Sequence, residues 1–143
     1  MRRLGRAMWT VLGLCGLSVA GATTWVGADA STAGYGVRAG SSLLAVPRIG
    51  ALGVEGSAEK GWQGQNRYAA ALTLRDLNLP LTKVDAFASA GAEYRSGLNL
   101  AGLNLYGEAG LRGPVLGPVG WRAYARSTLT RQFGAGVGLE VRF

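Results

Sequence analysis

Beyond residue 22, apolar residues recur at every second position, and no segment sustains the three-and-four spacing of a helix. The stretch FGAGVGLEVRF, residues 133–143, shows the pattern most plainly. Phe133, Ala135, Val137, Leu139, Val141 and Phe143 form one set, and Gly134, Gly136, Gly138, Glu140 and Arg142 the other. Clusters of Gly, Pro, Asn and Ser interrupt the alternation at short intervals. The pattern predicts eight strands, at roughly 24–31, 34–43, 48–60, 66–77, 82–95, 101–112, 120–131 and 133–143.

Proline placement gives this division independent support. Pro47, Pro80, Pro114 and Pro118 all fall in even-numbered connections, outside strand interiors where a missing N–H would break a ladder. The odd connections carry no proline. Different turn chemistry at the two ends is what an up-and-down meander needs.

Sorting the strands by face raises the central question. The seventh strand sets Trp121, Ala123, Ala125, Ser127 and Leu129 against Arg122, Tyr124, Arg126, Thr128 and Thr130, and the fifth and sixth divide in the same way. Two packed sheets could bury the apolar faces and leave the charges in water, as in a soluble exported β-sandwich or a lipocalin-like binder. That core would be mostly Ala, Gly and Val, too small to fill the gap. The other solution closes the eight strands and turns the apolar face toward lipid. Aromatic placement favours closure: Tyr35, Tyr68, Tyr94 and Phe133 lie beside odd connections, and Trp121 and Phe143 lie at the opposite end. Two aromatic girdles around an aliphatic band mark a membrane barrel.

These residues give the chain a pattern that resembles the small eight-stranded bacterial outer-membrane barrels of the OmpA and OmpX type. The resemblance covers residues 23–143 and implies an all-β, antiparallel, up-and-down transmembrane barrel in the bacterial outer membrane. Val137, Leu139, Val141 and Phe143 resemble the C-terminal signal read by the outer-membrane assembly machinery, which the resemblance makes a partner. The odd connections are shorter than the surface loops common in that family, which argues against a receptor or adhesin role.

Residues 1–22 fit the export step. Arg2, Arg3 and Arg6 precede a glycine-broken apolar run, and Ala20-Gly21-Ala22 supplies a small-x-small cleavage site, the order of a secretory signal peptide. The single cysteine, Cys15, lies in this segment, so neither a disulfide nor a lipid anchor is expected in the barrel. The formal charge of +7 includes those three arginines. The remaining basic residues are spaced singly, with no basic stripe or aromatic platform for nucleic acid.

The chain contains no histidine, which removes Ser-His-acid triads and histidine-metal sites. No catalysis, cofactor or metal is expected. The motif Gly34-Tyr35-Gly36-Val37-Arg38-Ala39 fits a dinucleotide fingerprint, but alternation continues where that fingerprint needs a helix.

The inward set is the candidate site. Arg38, Glu55, Glu108, Arg122, Arg126 and Glu140 are expected to form an ion-pair network in place of an apolar core, with Arg75 nearer the proline-bearing end. With the shortest hairpin turns, Glu140 falls opposite Tyr124, between Arg122 and Arg126, and Glu108 faces the same two arginines. Asp85 falls opposite Arg112, and Glu59 opposite Arg67. Buried charges are costly unless paired, and here both signs arrive together. Such a network either closes the lumen, giving the barrel a structural role in membrane integrity, or lines a narrow ion-conducting pore. Near the odd connections, Lys60, Arg67, Arg95 and Arg131 are expected at the outer rim, facing anionic lipid headgroups or lipopolysaccharide phosphates. Trp62, in the longest outer loop, is a candidate interface anchor. Oligomeric state is left open, because an apolar exterior can hide subunit contacts against lipid.

Overall fold

A computed structural model describes residues 23–96 and 102–143. The expected signal peptide, 1–22, lies outside these residues, as does most of the connection between the fifth and sixth strands. The alternating segments form eight strands: β1 (Thr24–Ser31), β2 (Gly34–Val46), β3 (Gly50–Gly61), β4 (Asn66–Asn78), β5 (Asp85–Arg95), β6 (Leu103–Leu116), β7 (Val119–Thr128) and β8 (Phe133–Arg142). Each pairs antiparallel with its neighbour in sequence, and β1 pairs with β8 to close the barrel. Closure leaves no edge strand with unpaired backbone groups, a requirement for any sheet that crosses hydrocarbon.

The apolar face is outside. Val37, Leu72, Leu105, Val137 and Leu139 are exposed, and so are the girdle residues Tyr35, Tyr68, Tyr94, Phe133 and Phe143. The inward face carries the charges: Glu93 and Glu140 are 0 % and 1 % exposed. This inversion answers the question raised by residues 133–143 and excludes the soluble sandwich, whose charges would face water.

Three details differ from the sequence expectation. Pro114 lies within β6, opposite Gly120, rather than in a connection. It is tolerated there because the ladder shifts register between Pro114 and Leu116, and a bulge has no need of its missing N–H. Similar shifts occur between Ser42 and Leu44 and between Leu74 and Leu77. All three bulges lie toward the even-numbered connections.

The second difference is register. The turn between β7 and β8 is not a two-residue Arg131-Gln132 turn. Thr128 N–H donates to Gln132 O (3.0 Å) and Arg131 N–H to Thr128 O (3.0 Å), so the turn spans Leu129–Gln132 with Arg131 left-handed at φ 62°. Glu140 therefore lies opposite Gly120, and Tyr124 opposite Gly136.

The third is the rim. Arg67 is buried and Arg95 turns inward to a carboxylate, so neither extends from the rim toward headgroups.

The inward glycines act by omission. A Cβ on Gly40 would stand inside the indole of Trp25, and one on Gly136 would come within 2.5 Å of the Tyr124 ring. A barrel of this size is just wide enough for its own side chains, so large residues need hydrogen-only neighbours.

Candidate functional site: the charged interior

The interior is built from residues on every strand. In an eight-stranded barrel, strands four apart in sequence stand on opposite walls. The ion pairs bridge three of these four diameters. Arg38 of β2 reaches Glu108 of β6, with Nη1 donating to Oε1 at 3.0 Å. Glu55 of β3 accepts a two-pronged bond from Arg122 of β7, at 2.8 and 3.1 Å. Arg75 of β4 pairs with Glu140 of β8, and Arg142 of β8 returns to Asp76 of β4 at 2.5 Å.

Three levels are distinguishable. At the centre, Glu108 accepts from Arg38, from Arg122 (2.6 Å) and from Arg126 (2.9 Å at Nε). Glu55 accepts from Arg38 (2.9 Å) and Arg122, and Asp29 takes the Nε of Arg38 at 2.5 Å. Toward the odd connections, Glu59 pairs with Arg67 and Arg126, and Glu93 with Arg95 (2.9 Å) and Arg126 (3.5 Å). Toward the even connections, Glu140 meets Arg75, Arg112 (3.1 Å) and Arg122 (3.6 Å), while Arg112 lies 3.9 Å from Asp85.

All six expected network residues are inside and joined. The expected position of Glu140 between Arg122 and Arg126 is not observed. The wider β7–β8 turn moves it one level toward the even end, where it meets Arg75, Arg112 and Arg122 instead. Arg67, expected at the rim, belongs to the interior; its neighbour across the ladder is Glu59, as the sequence register indicated.

Aromatic rings complete the packing, and sequence reasoning assigned them no role. The guanidinium of Arg75 lies 3.7 Å from the ring centre of Trp25, and Arg122 lies 4.1 Å from that of Phe87. Arg126 covers Tyr106 at 4.5 Å and Arg38 covers Tyr124 at 4.7 Å. A desolvated cation over an aromatic face is attracted by the ring quadrupole. Trp25 also donates its Nε1–H to Glu55 at 2.8 Å. Period two would have found it: Trp25 and Asp29 share a face with Gly27.

The charge balance is complete in one sense. The chain has eight acidic residues, and all eight enter these ion pairs, matched by eight arginines. Arg48, Lys60, Lys83 and Arg131 are exposed and enter no ion pair among the described residues. The excess positive charge of the barrel is thus confined to its ends, Lys60 and Arg131 at one, Arg48 and Lys83 at the other.

Two recesses approach the network. One, about 380 Å³, opens at the odd end and is lined by Arg67, Arg95, Tyr124, Arg126 and Thr128 among others. The other, about 830 Å³, lies at the even end beside Ser42, Arg48, Asp76 and Asn78. Neither is lined by Glu55, Glu108 or Glu140, so these carboxylates lie between them.

The closed, outwardly apolar cylinder with a charged interior defines the class: this is the fold of the small transmembrane β-barrels, of OmpA-like architecture. No family model and no curated protein matches the sequence. Solved structures do match in fold. The N-terminal β-barrel domain of Pseudomonas aeruginosa OprF aligns with TM-score 0.62 at 14% identity, over 85% of this chain and 97% of that one. A de novo designed transmembrane β-barrel aligns with TM-score 0.60 at 13% identity, over 85% and 94%. The outer membrane enzyme PagL aligns with TM-score 0.52 at 12% identity, over 85% and 98%. At such identities the likeness extends to fold alone.

Proposed function

We propose that this protein is a structural barrel of the bacterial outer membrane, without enzymatic activity, whose lumen is held shut by the Arg/Glu network. One observation carries the reading: ion pairs cross three diameters of the barrel at successive depths, with side chains almost entirely buried. A plug of paired charges costs less than an open, half-solvated one only when every partner is present, and here every carboxylate is used. Outer-membrane residence, by way of an N-terminal export segment and the assembly machinery, is supported by the exterior. Val137, Leu139 and Phe143 all project outward on the β8 side.

Planar-bilayer recording tests the closed lumen. The refolded barrel should be electrically silent, and Glu108→Ala, which frees three arginines at the central level, should introduce conductance. Steady conductance in the unaltered protein would instead support a narrow pore. That second reading has one observation in its favour: a recess enters the barrel from each end, toward the ion-pair network between them. Membrane fractionation with heat-modifiable gel migration tests the location. A monodisperse monomer in plain buffer would refute both readings.

A further inference from the structure

The odd rim carries one place where charge and aromatic surface are built together on the lipid-facing side. Lys60 is exposed and lies across the ladder from Tyr35, which faces outward. Trp62, two residues on, is 60 % exposed, and its ring lies 5.3 Å from that of Tyr35 at an angle of 44°. The indole is not free to swing. Its Nε1–H donates to Ser31 O at 2.9 Å, and its backbone N–H to Ala33 O at 3.2 Å. The loop 61–65 is thereby pinned against the connection between β1 and β2.

A tryptophan whose N–H is satisfied by the protein offers its ring faces to its surroundings. The charge beside it has no competitor, because all eight acidic side chains pair with arginines of the lumen and its even mouth. Of the four basic residues expected at this rim, two have been drawn inside, which leaves Lys60 on the outer wall and Arg131 on the turn between β7 and β8. Lys60 has Tyr35 across the ladder and the Trp62 ring beside that tyrosine. A basic side chain at the end of an apolar band extends toward headgroups, and its attraction to anionic lipid is local.

We propose that Lys60, Trp62 and Tyr35 form a binding site for one anionic lipid. Lys60 would take the phosphate, and the two rings would pack against the sugar or glycerol and the first carbons of the acyl chains. The inference rests on the barrel lying in a membrane. The phosphate could come from a glycolipid such as lipopolysaccharide or from a glycerophospholipid such as phosphatidylglycerol.

The test is native mass spectrometry of the refolded full chain, released from micelles doped with phosphatidylglycerol, lipopolysaccharide or phosphatidylcholine. The unaltered protein should retain one anionic lipid. Lys60→Gln should lower the retained fraction by about fivefold, the effect of one basic residue near a charged surface, and Lys60→Glu, which reverses the charge, by more. Trp62→Leu should weaken retention too, whereas Arg48→Gln, at the other end, should not. Lys60 lies outside the interior network, so heat-modifiable migration should persist; Lys60→Gln serves if Lys60→Glu fails to fold. Lys60-dependent retention of lipopolysaccharide alone, or of phosphatidylglycerol alone, supports the site and identifies its source. Equal retention by Lys60→Glu and the unaltered protein overturns it, as does an equal loss in Arg48→Gln. Either result leaves the barrel's membrane location standing, which fails only if the protein is soluble without lipid.

Discussion

Glu55 and Arg122 stand on opposite walls of the barrel and join through two parallel N–H···O bonds of 2.8 and 3.1 Å. The pair is fixed from every side. Trp25 donates to the same carboxylate, Arg38 shares it, and the guanidinium of Arg122 lies over the ring of Phe87. A fork of this kind needs the planar guanidinium, which lysine does not supply.

Removing one member should cost more than removing both. Glu55→Leu strands positive charge among buried neighbours, and a loss of about 3–5 kcal/mol is expected. Glu55→Leu combined with Arg122→Met should recover part of that loss. Urea unfolding in lipid vesicles, analysed as a double-mutant cycle, measures the difference. A strictly additive result would mean that the two side chains are not coupled.

The ion pair at the even mouth should behave differently. Arg142 and Asp76 are separated by 2.5 Å, but their side chains are 25 % and 34 % exposed. Solvent screens such a pair, so Asp76→Asn should change stability by about 1 kcal/mol or less. Asparagine also tolerates the left-handed backbone found at this position, φ 58°. The same vesicle assay, repeated in high salt, should show the unaltered protein moving toward the variant.

Charge on the outer wall should be penalised by depth. Val137 lies opposite Ala30 and Ala123, within the aliphatic band, whereas Phe143, immediately after β8, lies in the even girdle. Val137→Arg should therefore cost about 2–4 kcal/mol and Phe143→Arg distinctly less. Equal costs would place the bilayer elsewhere on the barrel.

The small inward residues should resist enlargement. Gly40→Val would place methyl groups where the Trp25 indole lies, and overpacking of this kind costs about 1–3 kcal/mol. Heat-modifiable migration at graded temperatures reads the loss. An unchanged midpoint would show that Trp25 has another position available.

Strand number, face and closure are all legible in the sequence, because period two is a direct image of the pleat. Asp85 opposite Arg112 and Glu59 opposite Arg67 are legible too, from the shortest hairpin registers. Glu140 was misplaced for a local reason: Leu129–Gln132 contains neither Gly nor Pro to mark the turn, and nothing in its letters reveals that Arg131 takes φ 62°. Arg67 was misassigned through distance alone. A long side chain at a strand end reaches inward or outward, and Glu59 and Glu93, on the two neighbouring strands, draw this one inward. The stacking of Arg75 on Trp25 could not be read at all, because it joins β4 to β1 across a space that alternation does not describe.

The bridged diameters have a consequence for how the protein is made. Each joins strands four apart, and Glu55 and Arg122 are 67 residues from one another along the chain. A first half, β1 to β4, holds Glu55 and Arg75 without the partners that the second half provides. Neither half can shed its water alone, so dehydration of the lumen must wait for the last strands to arrive, and burial of the charges and sealing of the wall become a single late event in the protein's biogenesis.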